Sequence, residues 1–527
     1  MKKLTLLSNL LLCLHIGFAQ TDDASKFAST IGTDDLRKHL SIIAGDEMEG
    51  RETGTEGQRK AAVYIEAQFK ALGLQPVASL NGYQQLFPLH RDSLISSELK
   101  VNNSLLEYGK DYIAAAANNE TGKFKGKKLV FVGYGIEDSL YNDYAGVDVK
   151  NKIVVFFYGE PRKAGVYITT GSKQPGYWTY PGLTKKLAVA KAHGAIGAFA
   201  INSLTGTFPQ NIVQSSRKTN VIFTSIPSTD KQINYALLSH TAAKQLIGNS
   251  FDSLLKKAAS GEPLANNSIL IKNTKISFDY KKHQEIFNAS NVVGVMEGTD
   301  KKDEYVFLTA HYDHLGKHNG KIFYGADDDG SGTVAVLEMA EAFARAKAEG
   351  KGPRRTVVFM TVSGEEKGLW GSEYYSDHPL FPLEKTSVDL NTDMVGRIDT
   401  ERKTSDSLNY IYVIGHDKIS SDLAPINEGV NQKYTNLVFD YKFDDPKDPN
   451  RIYYRSDHYN FAKKGVPILF FYDGMLKADY HKPTDTIDKI YWDIYEKRVR
   501  MIFHTAWEIA NRDQMLKRDI QASLASE

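Results

Sequence analysis

From about residue 290 onward, short apolar runs alternate with longer stretches in which apolar residues return every three or four positions. The runs at 291–296, 305–309, 356–362, 388–392, 410–414 and 467–471 predict strands, and the stretches 332–347 and 493–511 predict helices. Alternation of this kind implies an α/β domain with a mixed, largely parallel sheet flanked by helices. Ligands of such sheets bind beyond the carboxyl ends of the strands, which says where chemistry should be sought.

Upstream the pattern differs. Leu36, Leu40 and Ile43 recur at helical spacing behind the capping residues Thr33 and Asp34. A charged, glycine-punctuated loop carrying Arg51 and Glu52 reads as solvent-facing. A second helix follows, with Ala61, Ile65, Phe69 and Leu72 on one face and Gly73 as its stop. Between residues 123 and 272 short strands (129–134, 153–158, 195–201, 221–226, 235–238) mix with helices (183–193, 239–247), and no acid or histidine pattern there carries chemistry. The expected organisation is a removable leader at 1–19, an opening segment at 20–115 and an inserted smaller α/β domain at 116–280. A catalytic core at 281–515 and a tail at 516–527 complete it.

Composition narrows the function. The chain has 527 residues, 42% apolar and 24% charged, with a formal net charge of +1. That balance suits a globular protein and argues against a general nucleic-acid binder. Lys2 and Lys3, an apolar run to Phe18 and the small residues Gly17 and Ala19 make residues 1–19 a secretory leader, so a periplasmic or secreted enzyme is expected. The run is too short for a membrane anchor. Cleavage would leave 63 basic residues against 64 acidic, a net charge of −1. It would also remove Cys13, the only cysteine, so a hydrolytic centre must use nitrogen and oxygen ligands.

Four strands end in such groups. The strand at 305–309 runs into His311-Tyr312-Asp313-His314, with Asp327-Asp328-Asp329-Gly330-Ser331-Gly332 opening the next helix. The strand at 356–362 runs into Glu365-Glu366, that at 388–392 into Asp393, and the last into Tyr480-His481. Each acid alone would read as a solvated surface group or a helix cap. Gathered at one sheet edge, they would repel one another unless cations neutralised them. Imidazole with carboxylate suits zinc or a similar dication, and this many ligands suits two. Three carboxylates, two dications and a bridging hydroxide sum to neutrality, the hydrolytic arrangement with metals ~3.5–4 Å apart.

These motifs resemble metallopeptidase family 28, the co-catalytic dizinc exopeptidases, over about 170 residues. The resemblance implies the zinc exopeptidase fold, two Zn2+ ions and peptide substrates. It assigns His311 and Asp393 to one zinc, Glu366 and His481 to the other, and Asp328 as the bridge, with Asp327 and Asp329 as neighbouring alternatives. A cis peptide is common just after the bridging residue. Glu365 would be the general base, Asp313 would fix the His311 tautomer, and Tyr480 would hydrogen-bond the oxyanion. The resemblance gives His314 and His318 no role, and His458 reads as structural. The inserted segment resembles the protease-associated (PA) domain, on Val132-Gly133-Tyr134-Gly135, Asp143-Tyr144-Ala145-Gly146 and Gly194-Ala195.

The leading function is therefore a secreted aminopeptidase. A carboxypeptidase of the same family is the nearest alternative. A one-zinc glutaminyl cyclase and a non-catalytic ectodomain are the others, disfavoured because every ligand position is filled. Oligomeric state is not readable from the sequence.

Overall fold

The computed structural model describes residues 22–224, 231–265, 267–272, 274–403 and 408–520. The expected leader, residues 225–226 of one expected strand and residues 521–527 of the tail lie outside the described residues. The chain forms two compact units, one built from residues 1–87 and 288–527, the other from 88–287.

In the first unit, the strand Lys301–His311 lies at the centre of the sheet. It pairs in parallel with Arg355–Val362 on one side and Thr386–Thr392 on the other. Thr386–Thr392 pairs in parallel with Ile468–Tyr472, and Tyr410–Ile414 closes on that strand antiparallel. Every residue of these last four strands is buried. A parallel sheet covered on both faces needs that, which is why Arg355–Val362, Tyr410–Ile414 and Ile468–Tyr472 read as largely apolar runs.

Alternate side chains enter two cores. Val306, Leu308, Val357 and Phe359 join Leu36, Leu40, Ile65, Phe69, Met339, Phe343 and Phe503 on one face. Phe307, Val358 and Met360 join Tyr375, Phe461 and Phe470 on the other. The helices on the first face are Thr33–Ile43, Glu56–Ala71, Gly332–Ala348 and Trp492–Asn511. Each buried Leu or Phe contributes ~1.5–3 kcal/mol over its exposed state. Against this core lies a buried polar pair: His39 Nε2 is 3.6 Å from Glu338 Oε1. Burial pushes Glu338 up to about 8 and His39 down, so near pH 7 the pair is neutral.

The second unit has its own six-stranded sheet. Its order is Ile269–Ile271, Leu129–Phe131, Ile153–Phe157, Gly197–Ile201, Tyr235–Leu238 and Tyr112–Ile113, parallel through the middle four. Phe131, Phe157, Phe199, Leu246 and Phe251 pack in its core. The unit starts at Pro88 and ends at Phe287, not at 116 and 280. The reason is packing: Leu99, Val101, Leu106 and Tyr112 are core residues of this unit, and Tyr112–Ile113 is its edge strand. Both boundaries fall inside long strands, Gln84–Val101 and Ile276–Met296, of which the apolar pattern reveals only residues 291–296. Their middles alternate with charged and polar residues and read as loop.

Candidate metal centre

Four buried strands converge their carboxyl ends on one place, and the backbone there turns sharply. His311 is the last residue of Lys301–His311. Gly364 takes φ 86° after Arg355–Val362 and starts the short turn Glu365–Lys367, so the two glutamates leave in different directions. Met394 and His481 hold left-handed backbone, φ 61° and 55°. Side chains rarely adopt that region, and each such residue costs ~1–3 kcal/mol that the surroundings must supply. The peptide between Asp328 and Asp329 is cis, at the position the resemblance implied.

The three consecutive aspartates divide their work. Asp329 accepts from the main-chain N–H groups of Gly332 (2.8 Å), Met394 (3.0 Å) and His311 (3.3 Å), and so ties three loops together. Asp327 accepts from the Gly396 N–H (2.8 Å) and the Ser331 hydroxyl (3.1 Å). Asp328 alone faces the histidines. Its Oδ1 is 3.3 Å from His311 Nε2 and its Oδ2 is 3.2 Å from His481 Nε2. Asp393 Oδ1 lies 3.7 Å and Glu365 Oε2 3.8 Å from His311 Nε2. Glu366 Oε2 lies 2.9 Å from His481 Nε2. The sequence-assigned residues thus gather as two groups that share Asp328.

Supporting contacts fix these groups. His311 Nδ1 donates to the main-chain oxygen of Asp313 at 3.1 Å, while the Asp313 carboxylate is 3.6 Å away. The expected tautomer-fixing partner is therefore the carbonyl of Asp313 rather than its carboxylate, and Nε2 is the ring nitrogen turned toward the acids. The carboxylate instead accepts from Thr53 Oγ1 (2.6 Å) and the Glu365 N–H (3.3 Å), which places the Glu365 turn. Ser456 Oγ donates to Asp393 Oδ2 at 2.6 Å. Asp485 accepts from the N–H groups of Asp327 and Asp328, both at 3.1 Å to Oδ2, and holds the bridging loop.

Arg51 was expected on a surface loop and is fully buried. Its guanidinium donates to four carbonyls, those of Tyr312, Ile43 and Tyr324 at 2.7 Å and Gly325 at 2.9 Å. It joins the loop after His311 to the loop before Asp328. Burial lowers its pKa to about 10, with Asp313, Asp329 and Asp328 opposing, so it stays cationic at neutral pH. Glu52 pairs with Lys367 at 2.8 Å. No local pattern announces either role.

The electrostatics describe a cluster with excess negative charge. Burial disfavours charge on His311, but Glu365 and Asp393 hold its pKa well above the usual histidine value. Burial likewise opposes charge on His481, yet Asp328 and Glu366 hold it up at about 10. Asp328, despite its burial, is held well below the carboxylate range by His311 and His481. Burial pushes Glu365 well above that range, aided by Glu366 and Asp393. Among the residues that face one another here, five buried ligand-type atoms have no hydrogen-bond partner: His311 Nε2, both ring nitrogens of His314, Asp328 Oδ2 and Glu366 Oε1. Each such atom costs ~1–3 kcal/mol, and five in one place fit dications that accept nitrogen and oxygen alike.

Beside the cluster is a cleft lined by Met394, Ile452, Arg455, Phe470, Leu476 and Tyr480, together with Asp328, Glu365 and Asp393. The Tyr480 hydroxyl accepts from Arg455 Nη2 at 3.0 Å, and its ring stacks on His481 with centroids 3.8 Å apart. Burial and the carboxylates of Asp328 and Glu365 push its pKa up, so it remains a hydroxyl donor. His458 faces away, with Nε2 2.8 Å from the Tyr453 carbonyl, and burial lowers its pKa to about 3. His318 is exposed.

The probable glutamate carboxypeptidase VP8 of Zea mays is 24% identical over 379 residues, 68% of this chain and 49% of that protein. A probable leucine aminopeptidase of Arthroderma otae is 28% identical over 215 residues, 40% of this chain and 55% of that one. Aminopeptidase YwaD of Bacillus subtilis is 24% identical over 247 residues, 44% and 46% of the two chains. The chain spans about half the length of these curated relatives. Among solved structures, the aminopeptidase from Aneurinibacillus sp. strain AM-1 aligns over 95% of this chain and 99% of that one, at 17% identity and a TM-score of 0.48. Residues 291–506 match the family model of Peptidase family M28. All eight candidate site residues lie within that match.

Proposed function

We propose that this protein is an exported, zinc-dependent exopeptidase that removes N-terminal residues from peptides and holds two metal ions. The observation that carries this reading is the split of the Asp328 carboxylate, one oxygen 3.3 Å from His311 and the other 3.2 Å from His481. His311 and Asp393 would hold one ion, Glu366 and His481 the other, and Asp328 both. Zinc bound there would acidify a shared water and oppose the charge that develops on the scissile carbonyl. Glu365, at the cleft and raised in pKa by burial, would take the proton of the attacking water and pass it to the leaving amine. The Tyr480 hydroxyl already accepts from Arg455, so its proton is available to the substrate's carbonyl oxygen as negative charge grows.

Two features favour an aminopeptidase. Glu365 and Asp393 line the cleft and would attract a free α-ammonium group, and Met394, Ile452 and Leu476 give it apolar walls. Peptides with a free amino terminus and an apolar first residue should be cleaved, and N-acetylated versions should be cleaved ~100-fold more slowly or not at all. A chromatographic assay of both sets decides. One observation favours the carboxypeptidase reading, the Arg455 guanidinium in the same cleft. Faster cleavage of the blocked peptides, from their carboxyl ends, would establish that reading instead. Export predicts a mature chain that begins at Gln20, checked by intact mass. A full-length chain starting at Met1 in the cytoplasm would contradict it.

A further inference from the structure

We propose that His314 is a third side-chain ligand on the Glu366–His481 side, so that the two metal positions are chemically unequal. This rests on the two-metal reading above. His314 is fully buried, yet neither ring nitrogen has a hydrogen-bond partner. Its Nδ1 is 2.8 Å from Glu366 Oε1 and 3.8 Å from Asp328 Oδ2. The donor atoms of His314, Asp328 and Glu366 all lie within 4.8 Å of one another. His481 addresses the same two carboxylates from another direction, 2.9 Å from Glu366 and 3.2 Å from Asp328. The two imidazoles are steeply inclined, at 70° with centroids 6.0 Å apart, so they converge on the acids rather than stack.

The imidazole's place is built into the backbone. A Cβ at Gly325 would come within 2.5 Å of the His314 ring, so the glycine leaves room for it. The Gly325 carbonyl is one of the four that Arg51 holds. The contrast with nearby histidines is direct. His318 is exposed, and His458 has one ring nitrogen, Nε2, on the Tyr453 carbonyl, whereas His314 has neither bonded.

Two imidazoles and two carboxylates would then serve one position, and one imidazole with two carboxylates the other. Imidazole favours zinc, cobalt and nickel over manganese and magnesium. The His314 position should therefore fill first and empty last.

The test is a titration of metal-free protein with Co2+, followed by ligand-field absorption and competition with a chelator. The wild type should bind two equivalents in two separable steps. His314→Phe should weaken the tighter step by at least the ~10–100-fold that even a ligand's hydrogen-bonding partner is worth, and leave the weaker step in place. His314→Asn offers an oxygen near the lost Nδ1. It should recover part of the affinity with an altered spectrum, and it decides the matter if the Phe variant does not fold. Variants with wild-type spectra and affinities at both steps would overturn the assignment of His314. A wild type that binds fewer than two equivalents would instead overturn the two-metal reading on which it rests.

Discussion

Glu365→Gln should leave the protein folded and loaded with metal, and should lower kcat by ~10²–10⁴, the range that a positioned acid–base group contributes. The substitution keeps the shape and hydrogen-bonding reach of the side chain and removes its capacity to take a proton. Glu365 is suited to that task by its surroundings. Its side chain is 12% exposed, at the mouth of a cleft that also holds Asp328 and Asp393. Its main-chain N–H is fixed on Asp313, and the left-handed Gly364 sets the direction in which it leaves the strand. In the proposed reading the ligand is Glu366, one residue on, which faces His481. Steady-state kinetics with elemental analysis of the same sample check this. Near wild-type turnover would remove Glu365 from the role of base. Loss of metal together with activity would make it a ligand.

Arg51→Met should destabilise the first unit by several kcal/mol, on the order of 5 or more, and abolish activity even where some folded protein remains. Hydrogen bonds from a charged donor are worth ~1.5–3 kcal/mol each, and this side chain makes four to buried carbonyls. Methionine fills much of the volume but leaves all four carbonyls without a donor. Two of the four flank the site, Tyr312 after His311 and Gly325 before the aspartate run. Their release would loosen the loops that carry His311 and Asp328. Arg51→Lys should recover little, since an ammonium group cannot reproduce the planar fork. Chemical denaturation and activity, measured together, test this. A variant of wild-type stability would show that the carbonyls find other partners.

Arg51 also marks the limit of what the sequence discloses. The site residues were legible because acids and histidines gather in the segments that follow the expected strands, and that pattern is local. His311, Asp313, Glu365, Glu366 and Asp393 lie at or within four residues of strand ends. Asp328 was separable from Asp327 and Asp329 only through the resemblance. The structure gives the physical reason: Asp329 spends both oxygens and Asp327 its Oδ1 on main-chain N–H groups, while Asp328 faces His311 and His481. Arg51 offered no such signal. Three of its four acceptors are 261 to 274 residues away in the chain. A charged residue between glycines reads as solvated unless those acceptors are known. His314 was passed over for a similar reason, since its neighbours Glu366 and Asp328 meet it only in three dimensions. The start of the second unit was placed late because residues 88–115 lack a long apolar run, although Leu99, Leu106 and Tyr112 are core.

The shared carboxylate of Asp328 is the centre of the account, and zinc content tests it most directly. Elemental analysis of purified wild-type protein should find two zinc ions per chain, and Asp328→Ala, folded by circular dichroism, should hold fewer than one. A wild type with one ion or none, or a variant that keeps both, would contradict a two-metal centre built around Asp328.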